Sequence, residues 1–487
     1  MRKNYDGQYR LGVTSIAELQ LNLNCRDEII PVLAALRHAF LDPSLRSQLT
    51  DLIAQDVSEA ARRDTGRPGL DDWQILVLGV LRANCDLDYD KLQDLAENHL
   101  SLRTILGVCG WDQDISFDFR RLRNTVSQVK SATLEQINQL VVTHGQALHG
   151  SAAQTARADS FVIETNIHYP TESSLMYDGT RKLIPLASEI AKELSESGWR
   201  QGNQLLKQIK KLNRKINQLA ASKVIKKKDV MEALYRDLIE RVGRILDRAK
   251  KLVIAVPLAA PIAIRLKVDQ LNKWIELTEQ VRSTAYRRIV LGESVPNRDK
   301  LFSLFETHTQ LYQRGKAGEP IQYGRLAMIF EDGAGFISHY HLLDRDACDT
   351  SVAVEQTIVA KARHGGALES LSLDRGFHSA DNIEALSQVV TDVSCPSRNS
   401  KQYAAEVASE SKESRRRRHH HAGVESAIGA LQRGNGLQRC RDRGEEGLKR
   451  YLGFAVLARN FQVLGKQLIA RESPDCLAAT SERLMVT

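Results

Sequence analysis

The sequence predicts a mixed α/β core that is interrupted by a long helical insertion and preceded by an all-helical region. Three observations carry this expectation. Helical periodicity alone fills residues 14–150. β-Branched, alternating runs begin only at Ala158 and return at Tyr323. Between them, residues 183–310 are again helical in period.

The bulk numbers frame the elements. A chain of 487 residues is long for one hydrophobic core, so two to four domains are expected. It is 42% apolar and 26% charged, as ordinary folded proteins are. The net charge of +8 favours a polyanionic partner only weakly. Seven dispersed cysteines form no C-x-x-C pair, which argues against a zinc knuckle and suits a reducing compartment. The N-terminus has basic residues but no apolar run after them, so no signal peptide is expected. The longest apolar stretch, Leu252 to Ile264, is too short to span a bilayer and holds two prolines. No membrane role and a cytoplasmic location are therefore expected.

In chain order, TSIAELQLNL and EIIPVLAALRHAF read as helices, and the turn formers of Thr65 to Leu70 punctuate them. Asp71 to Asn84 opens with acids, as helix starts do, and continues apolar. Short helices follow, and TLEQINQLVVTHGQAL completes the region near Gly150. ADSFVIET then alternates as a strand, and HYPTESSLMYDG reads as loop and turn. Lys207 to Lys228 holds nine Lys or Arg and no acid, while Leu205, Ile209, Leu212, Ile216 and Leu219 recur at helical spacing. One face packs and the other is positive. A phosphate-binding surface and a solvated hairpin both fit that pattern.

Two apolar runs around E-D-G-A-G, Tyr323 to Asp344, form a hairpin signature. A helix from about Thr350 to His364 comes next. Leu368 to Leu386 reads as strand, glycine loop and helix, and Val389 to Pro396 as another strand. The segment RNSKQYAAEVASESKES looks polar and mobile. R-R-R-R-H-H-H and an apolar helix follow, and a long helix spans Glu445 to Leu468.

Three acids sit at the polar borders of apolar elements: Asp159 opening a strand, Asp374 closing one, and Glu425 on a helix. Carboxylates held at a sheet edge suit hard divalent ions, and two such ions can drive in-line phosphoryl displacement. The pattern alone does not separate this from caps and salt-bridge partners, and Asp178, Glu331, Asp332 and Asp344 compete. Walker A, G-x-G-x-x-G and G-x-S-x-G sequences do not occur. Adjacent histidines at 419–421 point in different directions on a helix and suit zinc poorly.

The motifs around these acids resemble those of the DDE transposases of bacterial insertion sequences, in particular the ISNCY-like group. Asp159 to Thr171 resembles the family's D-S-x-V-x-E-T-N-I-H-Y-P-T segment, with Phe161 in the variable place. Asp374 to Ser379 matches D-R-G-F-H-S, and His421 to Glu425 matches H-x-G-V-E. Gly436 to Arg441 and Tyr451 to Asn460 follow the family's G-L-x-R-C-R and Y-x-x-x-A-V-L-A-x-N segments. Gly66-Arg67-Pro68 and Leu100-Ser101-Leu102-Arg103 match its N-terminal region.

The resemblance implies an RNase H-like core with Asp159, Asp374 and Glu425 as catalytic and metal-binding residues. It further implies two Mg²⁺ ions, for which Mn²⁺ can substitute, and no other cofactor. The implied activity is cleavage at the ends of an insertion sequence and joining of the 3′-hydroxyls to target DNA. A nuclease without strand transfer and a non-catalytic DNA-binding protein are the alternatives. Partners are double-stranded DNA and a second copy or more of the chain, and the location becomes DNA-associated.

Candidate phosphate contacts are Arg415, Arg416, Arg417, Arg418, Arg439 and Arg441, because arginine grips phosphate bidentately. His378 and His421 are candidates to contact DNA or orient an acid. The basic face adds Lys207, Lys210, Lys211, Arg214 and Lys215. The expected domains are a helical DNA-binding domain at 1–150 and a core at 151–182 and 316–470. A helical insertion at 183–315 divides the core, and a flexible tail covers 471–487.

Overall fold

The computed structural model describes residues 14–23, 25–58, 69–108, 116–223, 228–257, 259–313, 320–408 and 412–472. The chain opens with α1 (Ile29–Leu41), α2 (Pro43–Ser58), α3 (Asp72–Asn84), α4 (Tyr89–Asn98), α5 (Leu100–Ile105), α6 (Phe119–Val126) and α7 (Ser131–Ala147). Then come β1 (Thr155–Glu164), α8 (Glu172–Glu193), α9 (Gly202–Ala221), α10 (Lys228–Ala255), α11 (Ile262–Ala285) and β2 (Gln310–Gln313). The next elements are β3 (Ile321–Asp332), β4 (Ile337–Leu342), α12 (Asp349–Arg363), β5 (Ser370–Leu373), α13 (Ala380–Val389) and β6 (Asp392–Ser394). The chain closes with α14 (Ser400–Ala408), α15 (Lys412–His421), α16 (Gly423–Arg433) and α17 (Glu445–Glu472). The architecture is mixed α/β: an N-terminal helical region, a central mixed sheet and helical insertions. No described helix is long and apolar enough to cross a membrane.

Two compact units emerge. One joins residues 1–164 to 325–487, and the other is residues 165–324. The expected tail beyond residue 472 and the Gly66-Arg67-Pro68 turn lie outside the described residues.

In the first unit β1 lies between β3 and β5, with β6 beyond β5. β1, β5 and β6 run parallel, while β3 and β4 form the antiparallel hairpin. The hairpin turn is built by Asp332, whose Oδ1 accepts the N–H groups of Ala334 (2.9 Å) and Phe336 (3.0 Å). Gly335 supplies the left-handed residue the turn needs, at φ +88°. Phe336 is fully buried in the helical core with α1 to α7. Gly145 on α7 admits its ring, because a Cβ there would stand 2.7 Å from Cε2. Burial of such a ring is worth ~2–3 kcal/mol, so the hairpin is anchored to the N-terminal helices.

α17 is the hub of this unit and packs on α1, α3, α7 and β4. Its Asn460, at the end of the Y-x-x-x-A-V-L-A-x-N segment, is wholly buried. Asn460 accepts from the Ile337 N–H at 2.7 Å and donates to Asn138 Oδ1 at 2.7 Å. A lone buried amide would be costly, and this network satisfies it while pinning the start of β4.

In the second unit, α8 to α11 bury the stripe that the periodicity predicts. Ile209, Leu212 and Ile216 of α9 join Leu238, Val242 and Leu246 of α10 and Leu271 of α11. β2 pairs antiparallel with residues 321–324.

Three local expectations fail, and one strand carried no signal. TSIAELQLNL is not a helix over its length: only Ile16–Glu18 forms a single 3-10 turn, capped by Ser15. HYPTESSLMYDG is not a loop throughout, because α8 starts at Glu172. Thr171 caps that helix: its Oγ1 accepts the Ser174 N–H at 3.2 Å, and Ser174 Oγ accepts the Thr171 N–H at 3.1 Å. The polar first turn hid a helix whose inner face includes the fully buried Ser173 and Met176. RNSKQYAAEVASESKES is largely α14 and the start of α15, so its polarity marks an exposed helix. β2 had no signal, being four residues long and half-buried.

Candidate functional site

The first two acids are brought together by strand register. β1 and β5 pair in parallel, with Arg157 opposite Ser372 and Ala158 opposite Leu373. Asp159 and Asp374 are each the next residue. Asp374 keeps an extended backbone at φ −74°, ψ 162°. Adjacent strands are ~4.8 Å apart, so these two acids occupy neighbouring positions at the end of β5.

Side-chain alternation decides which face they take. Phe161 and Ile163 of β1 pack with Val424, Ala427, Ile428 and Leu431 of α16. Arg157 and Asp159 share their parity and so their face. Ser160 points the other way, and its Oγ donates to Asp349 Oδ1 of α12 at 2.6 Å. Glu425 lies in the first turn of α16, exposed, beside the fully buried Val424. Asp159, Asp374 and Glu425 therefore border the same face of the sheet.

His421 connects them. It ends α15, and its Nδ1 lies 3.2 Å from Ser372 Oγ. Burial holds its imidazole below the usual histidine range. The charge of Asp374 opposes that effect, as does Glu425 more weakly, and Arg157 reinforces it. One imidazole thus senses two of the acids and the cation behind the third.

Arg157 is the residue the sequence reading missed. Its Nε donates to Glu331 Oε2 at 2.7 Å, with both side chains largely buried. Its guanidinium fills the space beside Gly423, where a Cβ would come within 2.5 Å of Cζ. The cation therefore runs along the start of the helix that carries Glu425. Its signal was available: it stands two residues before Asp159 in an alternating strand.

The Asp374 loop is braced from two sides. Arg375 donates to the carbonyls of Ser397 (3.2 Å) and Arg398 (3.1 Å) and stacks over Tyr403. Arg398 donates back to the carbonyls of Arg375 and Gly376. Phe377 is fully buried, and Ser379 caps α13. His378 lies between them, half-buried.

The competing acids have other partners. Glu331 holds Arg157 and Asp332 builds the hairpin turn. Asp178 takes His168 at 2.7 Å and Arg181 at 3.0 Å. Asp344 is exposed, and its carbonyl accepts the Ala347 N–H.

The expected phosphate contacts fall into three groups. Arg415 is exposed and Arg418 half-buried on α15, which packs on β1, β5 and β6. The side chains of Arg416 and Arg417 lie outside the described residues. Arg439 bridges to Glu164 at 3.3 Å yet remains 56% exposed, so part of it faces solvent. Arg441 is engaged with Asp86, at 2.8 Å to Oδ2 and 3.0 Å to the carbonyl. That pairing ties the turn after α3 to the segment before α17. Lys207, Lys210, Lys211, Arg214 and Lys215 are all exposed on α9.

Charge is unevenly divided. Residues 165–324 hold 29 lysines and arginines against 17 acids, a net +12, while the whole chain carries +8. The remainder of the chain is therefore acidic, and the positive field originates in the inserted unit.

No protein-family model, curated protein or solved structure matches this chain. Among the described residues, no three His, Cys, Asp or Glu side chains are gathered closely enough to hold a metal ion as they stand. The donor chemistry of Asp159, Asp374 and Glu425 nevertheless fits a hard divalent cation, since all three offer carboxylate oxygens.

Proposed function

We propose that the chain is a DDE transposase with an RNase H-like catalytic core. It cleaves DNA at the ends of a mobile element and joins the freed 3′-hydroxyls to target DNA. The observation that carries this is the β1–β5 register, which gives Asp159 and Asp374 adjacent places, with Glu425 bordering the same face. The strand arrangement supports the fold reading: a central β1 flanked by an antiparallel hairpin on one side and parallel strands on the other. The net +12 of residues 165–324 supports a polyanionic substrate.

Asp159, Asp374 and Glu425 would hold two Mg²⁺ or Mn²⁺ ions. When bound, such ions activate the attacking oxygen and stabilise the leaving one. Hydrolysis bonds a water oxygen to phosphorus, breaks the bond to the 3′-oxygen and frees a 3′-hydroxyl. Joining bonds that 3′-oxygen to a target phosphorus and releases the target's own 3′-oxygen, so one phosphodiester replaces another.

The protein's residues serve this chemistry by placement. Arg157 and its Glu331 partner fix the strand that carries Asp159. Burial lowers the pKa of His421 from its ordinary value, which favours the uncharged imidazole beside the acids. Arg415 and Arg439 hold phosphate, and the exposed basic face of α9 is a further duplex contact. Two element ends must be joined together, so a dimer on DNA is the working assembly.

The test supplies pre-cleaved element ends, target DNA and Mg²⁺. Joined product is expected from the intact protein. Asp159→Asn, Asp374→Asn and Glu425→Gln should each lower joining by more than about 10³-fold while duplex binding persists. Hydrolysis without joined product would identify a nuclease instead. Unchanged biological activity in all three variants would identify a DNA-binding protein that does not cut.

A further inference from the structure

Within residues 165–324 lies a cavity of about 340 Å³, at the low end of the ~300–1,000 Å³ typical of ligand sites. It is large enough for one small ring system and too small for a duplex. Its wall is aromatic. Tyr323 meets Tyr169 edge-on, with centroids 5.8 Å apart, and Phe302 at 5.5 Å. Tyr169 stands at the rim with 71% of its surface exposed, an unusual state for a tyrosine in a helical unit. Leu175, Val281 and Leu301 supply an apolar floor.

The polar groups are of both signs. Glu172 accepts from Arg288 Nε at 2.9 Å, and Arg288 is half exposed. Lys300 also borders the cavity and reaches Asn297 Oδ1 at 3.3 Å. Burial and the neighbouring Tyr169 push the Tyr323 hydroxyl up to about 12, so it remains a donor.

An aromatic wall whose exposed ring is Tyr169, a carboxylate acceptor, a guanidinium and an ammonium together match a nucleobase and its phosphate. The base offers a π-face to tyrosine and an edge with donors and acceptors. Arginine and lysine at the mouth suit the backbone. We propose that this cavity binds a single unstacked nucleotide of a DNA strand. The assignment to a strand rests on the transposase reading, whereas the nucleotide chemistry rests on the cavity itself. Removing one base from its stack costs a few kcal/mol, least where the strand is already unpaired. Single-stranded or frayed DNA is therefore the preferred ligand.

The experiment uses the full chain and fluorescein-labelled oligonucleotides, read by anisotropy at fixed salt. Tyr169 is exposed, so Tyr169→Ala leaves the fold intact. That variant should weaken binding of single-stranded DNA about 5- to 150-fold, the value of one lost base–aromatic stack. Tyr169→Trp should restore it, and affinity for a blunt duplex should change by less than about twofold. Unchanged single-strand affinity in Tyr169→Ala, or no single-strand binding by the intact chain, would overturn the proposal. So would micromolar displacement of the labelled strand by free deoxynucleoside 5′-monophosphates, which would assign a free-nucleotide site. Joining activity with Tyr169-independent strand binding would remove this proposal and leave the transposase reading standing. Tyr169-dependent strand binding without any joining would support the cavity and remove that reading.

Discussion

Breaking the Arg157–Glu331 pair should destabilise the first unit and disturb the acid site together. The side chains are 16% and 5% exposed, and Nε lies 2.7 Å from Oε2. Fully buried pairs lose ~3–5 kcal/mol when one partner is removed, because the other is left as an uncompensated charge. Arg157 retains some solvent, so the expected cost is about 2–4 kcal/mol. Arg157→Gln, Glu331→Gln and the double variant form a cycle, and the double should be no worse than either single. Urea unfolding followed by circular dichroism gives the three values, and hydrogen exchange of β1 and β3 peptides localises the loss. Coupling below about 0.5 kcal/mol would make the pair behave as a surface contact and refute the argument. Under the proposed function, Arg157→Gln should also raise the Mg²⁺ concentration needed for half-maximal joining, since Asp159 stands two residues away on the same face.

Other perturbations test separate parts. Burial, and then the nearby Arg363, push His339 down to about 3. Its folded pKa is below the unfolded value, so the stability it contributes is complete above pH ~6.5. That stability is lost as pH falls towards 3, at ~1.4 kcal/mol per unit. Between pH 7 and 5 the intact chain should lose about 2 kcal/mol more than His339→Asn in urea unfolding, and equal slopes would refute this. Replacing Lys207, Lys211 and Arg214 by Ala should lower the slope of log affinity for duplex against log salt by roughly 2–3, at ~0.9 per phosphate contact. An unchanged slope would remove α9 from the proposed DNA contacts. Gly465→Ala brings a Cβ within 2.5 Å of the Pro31 carbonyl carbon, between α17 and α1. Backbone there cannot swing aside, so a loss of at least ~1–3 kcal/mol is expected.

The helical regions were legible because apolar residues at spacings of three and four leave little choice of packing. The hairpin was legible because E-D-G-A-G names its own turn. α8 and α14 were not: the first turn of α8 is polar and its burial comes from neighbours distant in sequence, while α14 is polar and largely exposed and has no apolar face to read. At the site, Asp374 was visible as an acid at a strand border, whereas Asp159 lies inside β1 and does not open it, because the strand begins four residues earlier at Thr155. Their adjacency is a matter of register across more than two hundred residues, which no local pattern encodes. The partners of Arg441 and of Glu331 were equally out of reach. Asp86 finds Arg441 through tertiary contact, and nothing in its immediate sequence announces it, whereas Asp178 takes Arg181 three residues on in its own helix.

The inserted unit closes on itself where it leaves and rejoins the chain. The Thr165 N–H donates to the Tyr323 carbonyl at 3.0 Å, and the Thr165 and Thr309 hydroxyls meet at 2.8 Å. A segment whose two ends are one hydrogen bond apart can be replaced by a short turn at little loop-closure cost. The 160 residues between them thus form a cassette. A gene could acquire, lose or exchange it in one in-frame event, changing the basic unit while leaving the carboxylates in register.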